Sequence, residues 1–442
     1  MIDGARPAAP GARRRHPPVA VGRRAGVLLA LLLALLAPPA ARAQVLPPNV
    51  PPPTAATPGD ELTVYLVTMG PGDAVWEKFG HNAIWVHDAA ANTDAAYNWG
   101  VFDFDAADFL PRFLKGSMRY WLAVYPMGPM ADAYARTNRS VWVQELALTP
   151  AQRVELRDFV EWNARPENRF YTYDYFLDNC STRVRDVLDR VLDGRLRAAT
   201  DTVATGTSFR WHTRRLTQDG LAMYTGMDIV LGQPGDAPIS AWEEMFLPMK
   251  LRDRVQALTV PAPGGGTRPL VLREEQVFTA TRAPEPEAPA NLVAGFLAVG
   301  VAIGGAFVAL ARLATRGRRL AGAAFAVGGT VWSLIAGLCG LIMVLTWAAT
   351  DHTFMYRNEN LLQLSPLSLL LVALVPAARR RGGGAAWRVG AAVALLAALG
   401  FLLQALPAFG QTNGETIALA LPAHLGLAAG LWLLARRTRP AA

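Results

Sequence analysis

The chain has 442 residues, 52% of them hydrophobic, a mean hydropathy of +0.20 and a formal charge of +8. This length allows more than one domain, and this apolarity excludes a purely soluble protein. The charge does not indicate nucleic-acid binding. Seven arginines against one aspartate lie within residues 1–43, and eleven more occupy three short segments between apolar stretches, so the remainder is net acidic.

The N-terminus reads as an export signal over residues 1–43. Arg13, Arg14, Arg15, Arg23 and Arg24 precede the apolar core Val27–Ala37, and Ala41–Ala43 offers a small-residue cleavage site; an uncleaved anchor is the rival reading. A Pro-rich leader follows over residues 44–60. "ELTVYLVTMG" then reads as a strand and "HNAIWVHD" as a second, with His81, Ala83 and Trp85 on one face. "AYNWGVFDF" is expected to pair with it, "DAADFLPRFLKG" to form a short helix, and "MRYWLAVYP" and "RSVWVQELAL" to form further strands. Pro150 opens a helix that Thr149 can cap. An aromatic segment, "RFYTYDYFLDN", leads to a helix beginning near Cys180, with Val184, Val187, Leu188 and Val191 on one face. Loops and short helices follow, then a terminal strand or hairpin in "GGGTRPLVLREEQVF" and a linker, "RAPEPEAPA".

Five apolar stretches come next: about Asn291–Leu310, Ala321–Trp347, Leu361–Ala377, Gly390–Phe409 and Ile417–Leu434. A helix spans a bilayer with roughly 20 apolar residues; the third stretch is short and carries Pro366. Arginines follow the first, third and fifth, whereas the two opposite loops hold only Arg357. The basic side is cytoplasmic, so the region before the first span is extracytoplasmic. The expected organisation is a signal (1–43), a leader (44–60), a periplasmic catalytic domain (61–280), a linker (281–290), five spans (291–435) and a cytoplasmic tail (436–442).

Cys180 and Cys339 are the only cysteines, and Cys339 lies in an apolar span, so Cys180 is expected to have no disulfide partner. A helix N-terminus favours a thiolate and offers free N–H groups to an oxyanion, with Asp178 and Asn179 as possible caps. The alternative is a small buried hydrophobe. A catalytic cysteine needs a base, usually histidine. His81 opens a strand after a glycine and is the preferred candidate. His87 is expected in a solvated turn beside Asp88, and His212 on the surface of an Arg-rich loop. Asn98, with Asp103 further along, is the candidate to orient the base. No metal site is apparent.

"EKFGHNAIWV", "YNWGVFDF", "FLDNCSTRVRD" and "WEEMFLPMKL" resemble the periplasmic domain of Lnb-type bacterial lipoprotein N-acyltransferases, and "NENLLQLSPL" and "QTNGE" resemble outer loops of their membrane part. The resemblance covers most of the chain after residue 60. It implies an α+β, circularly permuted papain-like domain of the NlpC and lecithin retinol acyltransferase kind, followed by an all-α membrane domain. It also implies a catalytic Cys180–His81 pair, no cofactor, a phospholipid acyl donor, a lipoprotein acceptor, and residence in the inner membrane. Cys180, as thiolate, would take an acyl group and pass it to the α-amine of a diacylglyceryl-cysteine.

Two other readings remain open: a membrane-anchored cysteine peptidase or amidase, and a non-enzymatic envelope scaffold. The polar residues His352, Asn358, Asn360 and Asn413 in the outer loops are candidates for substrate contact, against the alternative that they cap helix ends.

Overall fold

The computed structural model describes residues 57–381 and 383–437. The expected signal, the leader as far as residue 56, and the tail from residue 438 lie outside the described residues.

Seven strands form one antiparallel sheet: β1 (Leu62–Met69), β2 (His81–Asp88), β3 (Thr93–Val101), β4 (Arg119–Pro126), β5 (Val141–Leu146), β6 (Phe170–Thr172) and β7 (Val271–Phe278). Their order is β7-β5-β1-β2-β3-β4-β6. The β1 strand, "LTVYLVTM", is rich in β-branched and aromatic residues and lies between two partners, with all eight residues buried. Its alternate side chains serve two different layers. Leu62, Val64 and Leu66 join Ile84, Leu156 and Leu188 in the main core, while Tyr65 stacks on Trp85 at 4.1 Å on the other side.

Helices α1 (Phe109–Lys115), α2 (Met127–Arg136), α3 (Pro150–Ala164) and α4 (Cys180–Val191) interleave with these strands. In α3, Thr149 Oγ1 accepts from Gln152 N at 3.3 Å and Gln152 Oε1 accepts from Thr149 N at 2.9 Å, a reciprocal cap ahead of Pro150. The α4 helix lays Val184, Val187, Leu188 and Val191 into the core, the stripe read from the sequence. The α2 helix was not anticipated; Pro129 falls in its first turn, where the missing N–H has no intrahelical partner. Among the further helices before β7 are α5 (Phe209–Thr217) and α6 (Leu221–Val230).

Five helical segments are long and apolar enough to cross a membrane: Val293–Thr315, Arg319–Ala349, Asn360–Ala378, Gly384–Leu403 and Gly414–Arg436. The helices concerned are α7 (Val293–Thr315), α8 (Arg319–Ala349), α9 (Ser368–Arg381), α10 (Gly384–Leu403) and α11 (Gly414–Arg437). Pro366 sits in the turn between a short helix, Asn360–Gln363, and α9. The chain is thus a mixed α/β sheet domain followed by an all-α membrane domain.

Both loops expected outside touch the sheet domain. Asp351 N donates to Lys115 O at 2.7 Å, and Thr412 N donates to Asp236 Oδ1 at 3.1 Å. The junction is more than a tether. Arg210, within α5, donates to Asp228 Oδ1 at 3.0 Å and to Asp236 Oδ2 at 2.9 Å. Glu415 pairs with Arg214 and accepts from Tyr224 Oη at 3.0 Å. The last carbonyls of α6 are capped from the membrane side. Asn358 Nδ2 donates to Ile229 O at 2.8 Å and Val230 O at 3.0 Å, and Asn360 Nδ2 donates to Ile229 O at 3.1 Å.

Candidate active site

Cys180 is the first residue of α4, and its helix start is fixed by Asn179. Asn179 Oδ1 accepts from Ser181 N at 2.8 Å and Thr182 N at 2.9 Å, while its Nδ2 donates to Tyr175 O at 2.9 Å and Phe246 O at 3.0 Å. His81 is the first residue of β2. The two meet over Gly100, at an irregularity in the β3–β4 pairing between Asn98 and Val101. Gly100 has φ +95°, and a Cβ placed there would lie 3.3 Å from Cys180 Cβ, 3.9 Å from His81 Cε1 and 4.0 Å from Tyr171 Oη. The backbone angle and the space both demand glycine. The hollow it leaves is where thiol, imidazole and phenol converge.

A second contact sets the register of this meeting. Ser181 Oγ lies 2.9 Å from Asn82 Oδ1 and 2.7 Å from Met245 O, and Asn82 Nδ2 donates to Thr68 Oγ1 at 2.8 Å. All of this is buried, and it locks the residue after His81 to the residue after Cys180.

The imidazole tautomer follows from its partner. His81 Nε2 lies 3.2 Å from Asn98 Oδ1. Asn98 Nδ2 donates to Ala96 O at 3.0 Å and toward Met130 Sδ at 3.2 Å, which fixes the amide with its oxygen toward the histidine. An amide oxygen only accepts, so Nε2 carries the proton and Nδ1 is the free base. Tyr134 stacks on the His81 ring at 6.0 Å, and Arg139 lies over Tyr134 at 4.6 Å. Arg139 is buried, donates to Gly70 O at 2.8 Å and pairs with Glu77 at 3.4 Å.

The electrostatics correct one expectation. Burial pushes the Cys180 thiol up to about 11, against the opposing pull of the Asn82, Ser181 and Cys180 N–H groups and of Arg139. Burial, and then the Arg139 charge, lower His81 to about 4, with the Asn98 hydrogen bond opposing. The helix N-terminus alone does not yield a thiolate. Near neutral pH the pair rests as thiol and neutral imidazole, which is a nucleophile with a base beside it rather than a preformed ion pair. The main-chain N–H groups of Asn82, Cys180 and Ser181 are the donors that favour negative charge at the thiol.

The remaining sequence candidates fall elsewhere. Asp178 neither caps α4 nor faces the hollow; it pairs with Arg183, whose Nη2 donates to Asp178 Oδ2 at 2.6 Å. Asp103 is exposed beyond the end of β3, where its Oδ1 accepts from Asp105 N at 2.9 Å. His87 is buried rather than solvated, with Nδ1 2.9 Å from Asp94 Oδ1. His212 is fully buried in α5 rather than on the surface, 3.0 Å from Thr207 Oγ1 and 3.3 Å from Glu244 Oε1. His352 lies 2.8 Å from Phe113 O, Asn358 and Asn360 cap α6, and Asn413 accepts from Ile417 N at 3.1 Å through its main-chain O at the start of α11, while its Oδ1 is buried without a hydrogen-bond partner among the described residues. Gly100, Asn82, Arg139 and Tyr171 were not anticipated. A lone glycine inside a strand pattern is a bulge signal that could have marked Gly100; the other three carried none.

A model of the Lnb N-terminal periplasmic domain matches residues 50–219, which hold both His81 and Cys180. A model of the Lnb transmembrane domain matches residues 306–412. No curated protein and no solved structure matches the chain. With the two models covering more than half of the chain in the order of its two domains, the protein belongs to the Lnb-type family, a membrane protein with a periplasmic N-terminal domain and a C-terminal transmembrane domain.

Proposed function

We propose that the protein is a thiol-dependent acyltransferase that moves a fatty acyl group from a phospholipid to the α-amine of a diacylglyceryl-cysteine lipoprotein. The observation that carries the reading is the convergence of Cys180 and His81 over Gly100, in a domain hydrogen-bonded and ion-paired to a set of five helices long and apolar enough to cross a membrane. The permuted papain-like fold, with the base on an early strand and the nucleophile on a later helix, is part of this reading, as is residence in the inner membrane.

In the first half-reaction Cys180 Sγ bonds to the ester carbonyl carbon as its proton passes to His81 Nδ1. The oxyanion faces the N–H groups that oppose the thiol's raised pKa. Collapse breaks the ester C–O bond, and the His81 imidazolium protonates the departing lysophospholipid oxygen. In the second, the lipoprotein's neutral amine attacks the thioester carbon and gives its proton to His81. The C–S bond breaks, and that proton returns to the Cys180 sulfur. Asn98 holds Nε2–H throughout, so the same Nδ1 serves both halves.

Mass spectrometry of lipoprotein N-termini from cells with and without this protein tests the proposal. N-acylated termini that disappear with the protein are expected. Unchanged termini would reject the acceptor, and cell-wall peptide cleavage lost in their place would favour a hydrolase.

A further inference from the structure

The sheet domain carries an apolar surface that its own core does not use. Trp76 is 59% exposed, Phe104 53%, Leu110 62% and Leu114 59%, on α1 and the segments beside it. The rings form one cluster: Trp76 lies 5.1 Å from Phe104, and Phe104 lies 5.1 Å from Phe109. Contiguous exposed aromatic area of this kind marks an interaction site.

Its position identifies the partner. The α8 helix has 31 residues, about 46 Å at 1.5 Å per residue. That exceeds the ~30 Å hydrocarbon core, so its end at Ala349 emerges into the outer headgroup layer. The exposed Trp347 is the side chain expected at that depth. The chain leaving α8 is bound to α1: Asp351 N donates to Lys115 O at 2.7 Å, and His352 Nε2 lies 2.8 Å from Phe113 O. Gly116, at φ +81°, closes α1 here, and a Cβ on it would come within 2.9 Å of His352 N. The fold therefore holds α1 at the bilayer surface, with Arg112 and Lys115 interspersed among its apolar residues, the composition of an interfacial helix.

The same cluster reaches the thiol. Phe109 lies 6.0 Å from Phe102, which stacks on Tyr120 at 4.8 Å; Tyr120 stacks on Tyr173 at 4.2 Å. Tyr173 lies 6.5 Å from Tyr171, whose hydroxyl faces the hollow over Gly100 and is buried without a hydrogen-bond partner.

We infer that α1, with Trp76 and Phe104, inserts into the outer leaflet and is the entry surface for the acyl chain of a bilayer phospholipid, which reaches Cys180 along the Phe102–Tyr120–Tyr173 wall. This deepens the proposed acyl transfer and rests on it for the last step, but the membrane contact stands independently of that chemistry.

The test uses the full chain in vesicles of phospholipid carrying a diazirine midway along one acyl chain. After irradiation, adducts are expected on the peptide spanning residues 102–116 as well as on α8. Adducts confined to the spans would overturn the insertion. In the same vesicles the double variant Leu110→Glu/Leu114→Glu is expected to slow acylation of Cys180 about tenfold or more. Both side chains are exposed, so an unchanged unfolding midpoint is expected to accompany the loss. An unaltered acylation rate would overturn the entry route. If the unaltered protein shows no acylation of Cys180, the proposed reaction fails, and the labelling pattern still decides the insertion.

Discussion

Two buried polar clusters in this molecule follow opposite rules. At the junction of the two domains the buried arginines have named carboxylates: Arg210 has Asp228 and Asp236, and Arg214 has Asp228 and Glu415. At the Cys180 hollow the thiol and imidazole are neutral and the polar atoms left over are donors, whereas those left over on the membrane side of the junction, Asn360 Oδ1 and Asn413 Oδ1, are acceptors. Tyr171 Oη and Arg139 Nη2 are both buried without hydrogen-bond partners among the described residues. Burying a charge is tolerable only when it is paired, so the junction is a fastening. Unspent donors beside a thiol and a free imidazole nitrogen are the groups that the proposed reaction would use.

The comparison breaks most visibly at its reactive pair. Cys180→Ala is expected to abolish acyl transfer, and His81→Ala to reduce it by about 10²–10⁴-fold. Neither change should shift the unfolding midpoint much. The double variant should be no worse than Cys180→Ala, because the two act as one unit. Multiplying losses in a steady-state assay would show two separate roles.

At the junction the loss should appear as stability. Arg210→Ala leaves Asp236 buried without its cation and Asp228 with only Arg214, 3.8 Å away, at a cost of about 3–5 kcal/mol. Thermal unfolding in detergent measures this. A change below about 1 kcal/mol would mean that water reaches the cluster.

Gly100→Ala sharpens the contrast from the other side. Its φ of +95° makes alanine strained there, and the new Cβ would crowd Cys180 Cβ at 3.3 Å. The thiol and imidazole would be displaced by a few tenths of an ångström, and misplacement of reacting groups on the ~1 Å scale costs about 10²-fold in rate. The expected result is a kcat loss of roughly that order or smaller, with KM little changed. Wild-type kcat would detach the hollow from the chemistry.

A smaller effect probes the resting state. With the thiol pushed up to about 11, alkylation of Cys180 by a small uncharged reagent should rise about tenfold per pH unit between pH 6 and 9. A rate that is flat above pH 7 would mean a preformed thiolate, contrary to the neutral pair.

How much of this was legible in sequence depends on the range of the forces involved. Local periodicity and arginine placement were enough for β1, β2, the α4 stripe and five spans. His81 and Cys180 stood out because each opens an element, and Asn98 because it lies on the adjacent strand. The failures share a cause. His212 and His87 look solvated until Glu244 and Asp94 are brought to them by the fold. Asp103 was expected to belong to the site, but the strand ends at Val101. The helix-terminus argument for a thiolate was sound locally, yet burial, which no local pattern reports, outweighs it at Cys180. Arg210, Arg214 and Asp228 gave no sign of a junction, because their partners come from distant segments and from the membrane half.

The central claim is a covalent acyl-thiol. The most direct measurement is the mass of the Cys180 peptide from protein isolated in its native membrane and quenched in acid before digestion. The account predicts a fatty-acyl increment on Cys180 that hydroxylamine removes at neutral pH, that is absent from Cys180→Ala, and that chases onto added diacylglyceryl-cysteine peptide. A Cys180 peptide that stays unmodified while lipoprotein N-acylation proceeds at full rate would contradict it.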